Sequence, residues 1–341
     1  LVPVGGFVYP GAVRVRGRVH EAGGGVYRVR LQDDREGEAS LRGRLKQQRR
    51  TGSRVVIGDI VTVGSSGDAW TIESVEERST ELVRRGRGGR APKLLAANLD
   101  KAFMVVSAKN PDATVQLIDR LLMLGEASGM QSILVINKLD APGAPEVEAI
   151  FAPMYQTVGY EVLSVSAETG VGVELLCQRM CEGTSTLIGP SGVGKSSLLN
   201  AVDPELELRT GELSRKTQTG RHTTVSSRII SLACGGLVAD TPGFGDVALW
   251  GVAPEEITAC FPEFAGPSEL CRFRGCTHVH EPDCGVRAAL EAGDIFDRHT
   301  ARKLERTILS KGGSAPADRL WLDFRDRMPG VDALLRGRGL I

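Results

Sequence analysis

The sequence lacks any apolar run approaching the roughly 18 residues that a membrane-crossing helix needs. It lacks a net charge, since 42 Lys and Arg face 42 Asp and Glu. It also lacks a secretory leader with a charged start, an apolar middle and a small-residue cleavage site. Its seven cysteines are an odd number, which argues further against a secreted disulfide framework. Nor is there a compositional bias towards disorder or a coiled-coil rod, because 41% hydrophobic and 25% charged residues is the ordinary globular balance. What is there is length: 341 residues predict two or three domains with full-sized cores.

The zero net charge hides an asymmetry. Residues 1–93 hold 18 Lys and Arg against 11 Asp and Glu, and the remainder carries the compensating negative charge. A basic N-terminal third suits a nucleic acid, because phosphate neutralisation supplies most sequence-independent affinity. Within it, short alternating runs at 13–19, 26–31, 39–45, 60–63 and 70–75 are broken by Gly23-Gly24-Gly25, Asp33-Asp34 and Gly64-Ser65-Ser66-Gly67. Five such strands predict a small barrel. The oligonucleotide-binding (OB) type leads, with a sandwich or an SH3-like barrel as alternatives. Arg14, Arg16, Arg18, Arg28, Arg30, Arg42, Arg44, Lys46, Arg49 and Arg50 favour the nucleic-acid reading over a solvated charged face.

Residues 84–93, RRGRGGRAPK, read as a flexible basic linker. After it, apolar runs at 102–108, 132–136, 162–165 and 186–188 alternate with helix-like stretches at 115–127 and 147–157. That alternation predicts a parallel sheet with helices on both faces. Beyond Asp246 the sheet pattern stops. A helical stretch at 254–265, a Cys/His cluster and helical spacing over 284–309 follow, and the tail from Lys311 contains Gly312-Gly313-Ser314 and Pro316 and is expected to be partly disordered.

Residues 189–196, GPSGVGKS, follow an apolar run and open a helix-like stretch, the context a phosphate loop requires. Gly189, Ser191, Gly192, Val193, Gly194, Lys195, Ser196 and Ser197 are the candidate phosphate-binding residues. Their backbone N–H groups would wrap phosphate oxygens, Lys195 would reach the outer phosphates and the Ser196 hydroxyl would meet Mg²⁺. Asn137-Lys138-Leu139-Asp140 chooses the base. A carboxylate at Asp140 can accept from N1–H and the exocyclic amine of guanine, a pair adenine does not offer. Asn137 would bridge base and phosphate loop, the Lys138 stem would cover the ring, and Ser166-Ala167 would present a backbone N–H to O6. Asp240-Thr241-Pro242-Gly243 completes the set, with Asp240 near Mg²⁺ and the Gly243 N–H at the γ-phosphate. These are the parts of a GTPase, in circularly permuted order: the base-reading motifs precede the phosphate loop.

A permuted GTPase flanked by an OB-like domain and a Cys/His domain resembles the ribosome small subunit-dependent GTPase A family (RsgA, also called YjeQ). The resemblance covers about residues 12–310. It includes Ile57-Gly58-Asp59, Ala97-Asn98-Leu99-Asp100 and Gly220-Arg221-His222-Thr223-Thr224. It implies three parts: an OB-type RNA-binding barrel (1–85), a permuted α/β GTPase domain (86–248) and a mostly helical zinc-binding domain (249–341). It also implies a late-acting assembly factor that binds the small ribosomal subunit and its rRNA and leaves after GTP hydrolysis. No membrane partner is implied, and a monomer is expected. The compartment is the cytoplasm or, if the chain beginning at Leu1 is a processed form, an organelle stroma or matrix.

Phe244 stands where many GTPases place a glutamine that orients the attacking water, so slow intrinsic turnover is expected. His222 is the candidate catalytic group, as the resemblance also suggests, against the alternative of a solvated loop histidine. Thr224 is preferred to Thr223 as a Mg²⁺ ligand. Cys271, Cys276, His278 and Cys284, spaced C-x4-C-x-H-x5-C, match a closed tetrahedral zinc site, with His280 as the competing ligand. Cys177, Cys181, Cys234 and Cys260 read as small buried hydrophobes. Two other functions compete with the assembly GTPase. One is a nucleotide-switched RNA-binding placeholder in which hydrolysis is incidental; the other is an ATP-dependent kinase, which the NKLD and SAET segments oppose.

Overall fold

The structure is a computed structural model that describes residues 14–43, 45, 55–66, 69–84, 93–208, 227–240 and 254–292. It divides into two compact units, Leu1–Gly251 and Val252–Ile341.

The first unit opens with strands β1 (Arg14–Gly23), β2 (Val26–Leu31), β3 (Glu36–Leu41), β4 (Ile60–Ser66) and β5 (Ala69–Val75). Side chains alternate across each strand, so Tyr27, Val29 and Leu31 of β2 point inward with Ala39 and Leu41 of β3. With Val19, Val61, Val63 and Ile72 they form one buried core. Strand β1 pairs with both β2 and β4, β2 with β3, β3 with β5 in parallel, and β5 with β4. The ring closes in the order 1-2-3-5-4, the OB arrangement, so the sandwich and SH3-like alternatives fall away.

The arginines of these strands are largely paired. Arg14 and Arg42 meet Glu73 at 2.8 and 3.1 Å, Arg16 meets Glu76 at 2.8 Å, Arg30 meets Asp34 at 2.9 Å and Arg35 meets Asp33 at 2.7 Å. Nine Arg and ten Asp or Glu stand among the described residues of 14–84, whereas residues 44–54 and 85–93 hold nine Lys or Arg and no acid. The basic excess therefore resides in connections, not on the barrel strands.

Two further strands, β6 (Glu81–Arg84) and β7 (Lys93–Ala97), pair antiparallel, so the linker read at 84–93 begins and ends in strands; residues 85–92 lie outside the described residues. Then come β8 (Lys101–Ser107), β9 (Gln131–Asn137), β10 (Glu161–Ser164), β11 (Thr184–Ile188), β12 (Ser227–Ser231) and β13 (Leu237–Asp240). Their order is β10-β9-β8-β11-β13-β12, parallel except for β12. Among the described residues four helices cover it: α1 (Val115–Ala127), α2 (Ala144–Val158), α3 (Val173–Met180) and α4 (Lys195–Val202). Period-2 alternation in β8 sends Ala102, Met104 and Val106 to a core with α1 and α2, and Phe103 and Val105 to a core with α3 and α4. Both faces are buried, as a parallel sheet requires.

The barrel and this sheet are continuous, because β1 also pairs with β12 (Glu21 opposite Arg228). The junction uses the two short motifs of the family resemblance. Gly58 has φ +85° and donates its N–H to the Val19 carbonyl at 2.8 Å, while Ala97 donates to the Ile57 carbonyl at 3.0 Å. Asp59, fully buried, accepts from the Val56 N–H at 2.8 Å and from Arg78 Nε at 2.7 Å. Asn98 donates to the Gly58 carbonyl at 3.1 Å and accepts from the Ser79 N–H at 2.9 Å. Every buried polar group named here has a partner, the condition for burying them.

The second unit contains a seven-residue 3₁₀ segment at Pro254–Cys260 and a single 3₁₀ turn at Pro262–Phe264, then α5 (Ala265–Glu269), an irregular stretch, and α6 (Gly285–Ala292). The helical pattern predicted to 309 is described only to 292, and the tail from Lys311 lies outside the described residues.

Candidate functional site

Strand β11 is buried throughout and delivers the loop 189–194 to the N terminus of α4. Gly194 has φ +95°, and a Cβ there would stand 2.5 Å from Asn137 Nδ2, so only glycine permits that approach. The contact it allows joins the two motifs: Asn137, 1% exposed, donates from Nδ2 to the Val193 carbonyl at 2.8 Å. Its Oδ1 accepts from the Ala167 N–H at 3.3 Å. One asparagine thus connects the segments from the ends of β9, β10 and β11.

The other residues expected to contact the base gather beside it. The Ser166 hydroxyl donates to the Asp140 carboxylate, and its Oγ accepts from the Thr169 N–H at 3.1 Å. Lys138, at φ +64°, donates from its ammonium to the carbonyls of Lys109 (3.2 Å) and Asn110. Partial burial lowers its pKa. The 109–111 loop was not among the sequence-predicted residues. Its only signal is the turn-forming Asn110-Pro111-Asp112 run after β8.

Lys195 donates to the carbonyls of Gly189 and Pro190 at 2.7 and 2.8 Å. Burial pushes its pKa down to about 8. Ser196 is buried at the first turn of α4, while Ser191 and Gly192 are exposed on the loop and Ser197 is half-buried behind it. Asp240 ends β13, and burial raises its pKa although Arg228 lies 3.6 Å away. Hard oxygen donors at Ser196 and Asp240 suit Mg²⁺. His222, Thr223, Thr224, Gly243 and Phe244 lie outside the described residues.

In the second unit the ligand atoms of Cys271, Cys276, His278 and Cys284 all lie within 4.8 Å of one another. His278 Nδ1 is 3.2 Å from Cys284 Sγ and 3.6 Å from Cys271 Sγ. The exposed His280 is not part of this group. Three soft sulfurs and one imidazole fit tetrahedral Zn²⁺. Glu281 organises the turn: it accepts from the Thr277 hydroxyl (2.6 Å) and from the N–H groups of Thr277, Val279 and His280. Those bonds, the Thr277 hydroxyl first, hold its carboxyl well below the usual range.

The reading of the remaining cysteines requires correction. Cys181 and Cys234 are joined as a disulfide, Cys234 is exposed, and Cys177 is half-buried beside them. Only Cys260 of the four is a buried residue. Spacing in the sequence carries no signal for a pairing across 53 residues.

A family model described as the RsgA GTPase matches residues 75–250. Among curated proteins, the small ribosomal subunit biogenesis GTPase RsgA of Gemmatimonas aurantiaca is 41% identical over 82% of this chain and 92% of its own length. That of Geobacillus thermodenitrificans is 40% identical over the same shares. Among solved structures, YjeQ from Thermotoga maritima superposes with a TM-score of 0.66 at 31% identity, covering 88% of this chain and 100% of its own. YloQ, described as a circularly permuted GTPase, gives 0.65 at 29% identity, with 88% and 96% covered. With the OB barrel, the permuted motif order and the Cys₃His cluster, these matches place the chain in the RsgA GTPase family.

Proposed function

We propose that the chain hydrolyses GTP in the maturation of the small ribosomal subunit, the role named for its relatives. The observation that carries this reading is the bridge from Asn137 to Val193 and Ala167, which gathers base-reading and phosphate-binding segments into one site. Asp140 would read guanine, Lys138 and Asn137 would frame the base, and Ser166-Ala167 would present a backbone N–H to O6. Gly189 and Ser191–Ser197 cradle the phosphates. Ser196 and Thr224 would hold Mg²⁺, which supplies charge neutralisation, Asp240 would position it through water, and the Gly243 N–H would meet the γ-phosphate. Cys271, Cys276, His278 and Cys284 would hold one structural Zn²⁺. The division is barrel (1–85), GTPase (86–248) and zinc domain (249–341), with the first and last docking on rRNA and hydrolysis releasing a monomeric, cytoplasmic factor. Among the described residues no helix is long and apolar enough to cross a membrane.

Lys195 adds a pH signature. A phosphate near its ammonium favours the charged form and raises its pKa from about 8. GTP binding above that pH must then take up a proton, and affinity falls as pH rises. Calorimetry at pH 9 in buffers of different ionisation enthalpy checks this; binding without proton uptake removes Lys195 from the phosphate contact.

The decisive experiment is GTP hydrolysis with and without purified small subunits, alongside His222→Ala. Stimulation by orders of magnitude is expected, with a loss of about 10²-fold or more in the variant if His222 orients water. Subunits that bind but leave turnover unchanged would favour the placeholder reading, which Phe244 supports.

A further inference from the structure

Three cysteines meet at the end of the sheet away from the nucleotide residues. Cys177 lies on α3, Cys181 caps the C terminus of that helix, and Cys234 sits in the turn between β12 and β13. Their sulfurs fall within 4.8 Å of one another. The place is the N-terminal edge of β11 and β13, whereas Ile188 and Asp240, at the other end of the same strands, lead into the nucleotide residues. Strand rise separates the two ends by on the order of 10 Å.

Backbone contacts hold the partners together independently of sulfur chemistry. Leu237 donates to the Gly183 carbonyl at 3.0 Å, and the turn closes by bonds from Gly235 to Leu232 (2.9 Å) and from Leu232 to Gly236 (2.8 Å). Ala233 donates to Asp203 Oδ2 at 2.8 Å, which ties the turn to the end of α4. Cys181 and Cys234 thereby stand with Cα atoms 5.5 Å apart, the spacing a disulfide uses. Cys177 and Cys181 do not. Four residues apart on a helix, their Cβ atoms are about 5–6 Å from each other, against the roughly 3.5–4.5 Å a disulfide needs. Cys177 Sγ, 3.8 Å from Cys181 Sγ, is therefore a bystander to the bond.

We infer that Cys181 and Cys234 form a reversible thiol–disulfide site, exchanging with small disulfides such as oxidised glutathione, that closes a covalent ring around the phosphate loop. Cys234 is the exposed member and the point of entry. Its thiolate attacks one sulfur of the small disulfide and expels a thiolate; Cys181 then attacks Cys234 Sγ and expels the second. Two protein thiols lose two electrons and two protons, and one small disulfide becomes two thiols. The ring encloses β11, the phosphate loop and α4 together with residues 209–226. Because the native backbone already holds the spacing, oxidation leaves the nucleotide site unchanged and acts by restricting the unfolded chain. This inference is independent of which nucleotide the site binds.

The test uses the full chain in glutathione buffers of graded reduced-to-oxidised ratio, followed by acid quenching, thiol alkylation and peptide mapping. Cys181 and Cys234 should become protected together as the ratio falls. Cys234→Ser should leave Cys181 open to alkylation, and Cys177→Ser should leave the pair protected. The oxidised chain should melt about 5–10 °C above the reduced chain, with GTP affinity equal in both. Three outcomes overturn the proposal: equal alkylation of Cys181 and Cys234 at every ratio, a glutathione adduct persisting on Cys234 beside a free Cys181, or protection in reducing buffer that is lost on chelation and in Cys177→Ser. The last would make the cluster a three-thiolate metal site.

Discussion

Asp140→Asn should lower GTP affinity by about 10²–10³-fold while leaving the fold intact. On the proposed reading the carboxylate would accept two hydrogen bonds from guanine, from N1–H and from the exocyclic amine. An amide at the same position has one acceptor and one donor, so its NH₂ would oppose one of those donors and leave it unpaired. The local structure should survive, because the asparagine carbonyl can still accept from the Ser166 hydroxyl that holds Asp140. The same substitution should improve binding of xanthosine triphosphate, whose ring presents a carbonyl where guanine presents the amine. Titration of both nucleotides with parent and variant separates base recognition from general damage. Equal GTP affinity in the two proteins would mean that Asp140 does not read the base.

Gly58→Ala should destabilise the first unit by about 3–5 kcal/mol, a large part of the stability of an ordinary domain. Gly58 sits at φ +85°, a conformation that costs any residue with a Cβ. A Cβ there would also lie 1.8 Å from the Ala97 carbonyl oxygen, and that obstacle is backbone held by the Ala97 to Ile57 hydrogen bond. No side chain can swing aside to relieve it. The strands must separate, which exposes Asp59 and Asn98, whose buried polar groups are paired only within this junction. Denaturant unfolding of the parent and variant measures the effect. A change below about 1 kcal/mol would show that the barrel and the GTPase sheet are joined more loosely than these contacts describe.

The nucleotide motifs are legible because their chemistry is local. A phosphate loop works through successive backbone N–H groups, and NKxD through side chains within four positions, so the residue order carries the geometry. The barrel is legible as strands through period-2 alternation and glycine turns, but its type is not. The parallel pairing of β3 with β5 that makes it an OB fold depends on which edges meet after the chain has travelled some thirty residues. Charge misleads for the same reason. Arg14 and Arg16 read as free basic residues until register places Glu73 and Glu76 beside them. Likewise, Ile57-Gly58-Asp59 and Ala97-Asn98 carry the resemblance to the family without revealing that they touch.

Sequence alone thus determined the class of chemistry: a permuted GTPase, a soft-donor Cys/His cluster within 14 residues that could hold a metal, and no membrane-length apolar run. Tertiary structure decided the pairings that span the chain. Asn137 meets Val193, Gly58 meets Ala97, the barrel arginines meet their carboxylates, and Cys181 meets Cys234. The division has one physical cause. Contiguous motifs are constrained by bond geometry over a few residues, whereas distant partners are chosen by strand register and by the burial of apolar faces, which no short window of sequence contains.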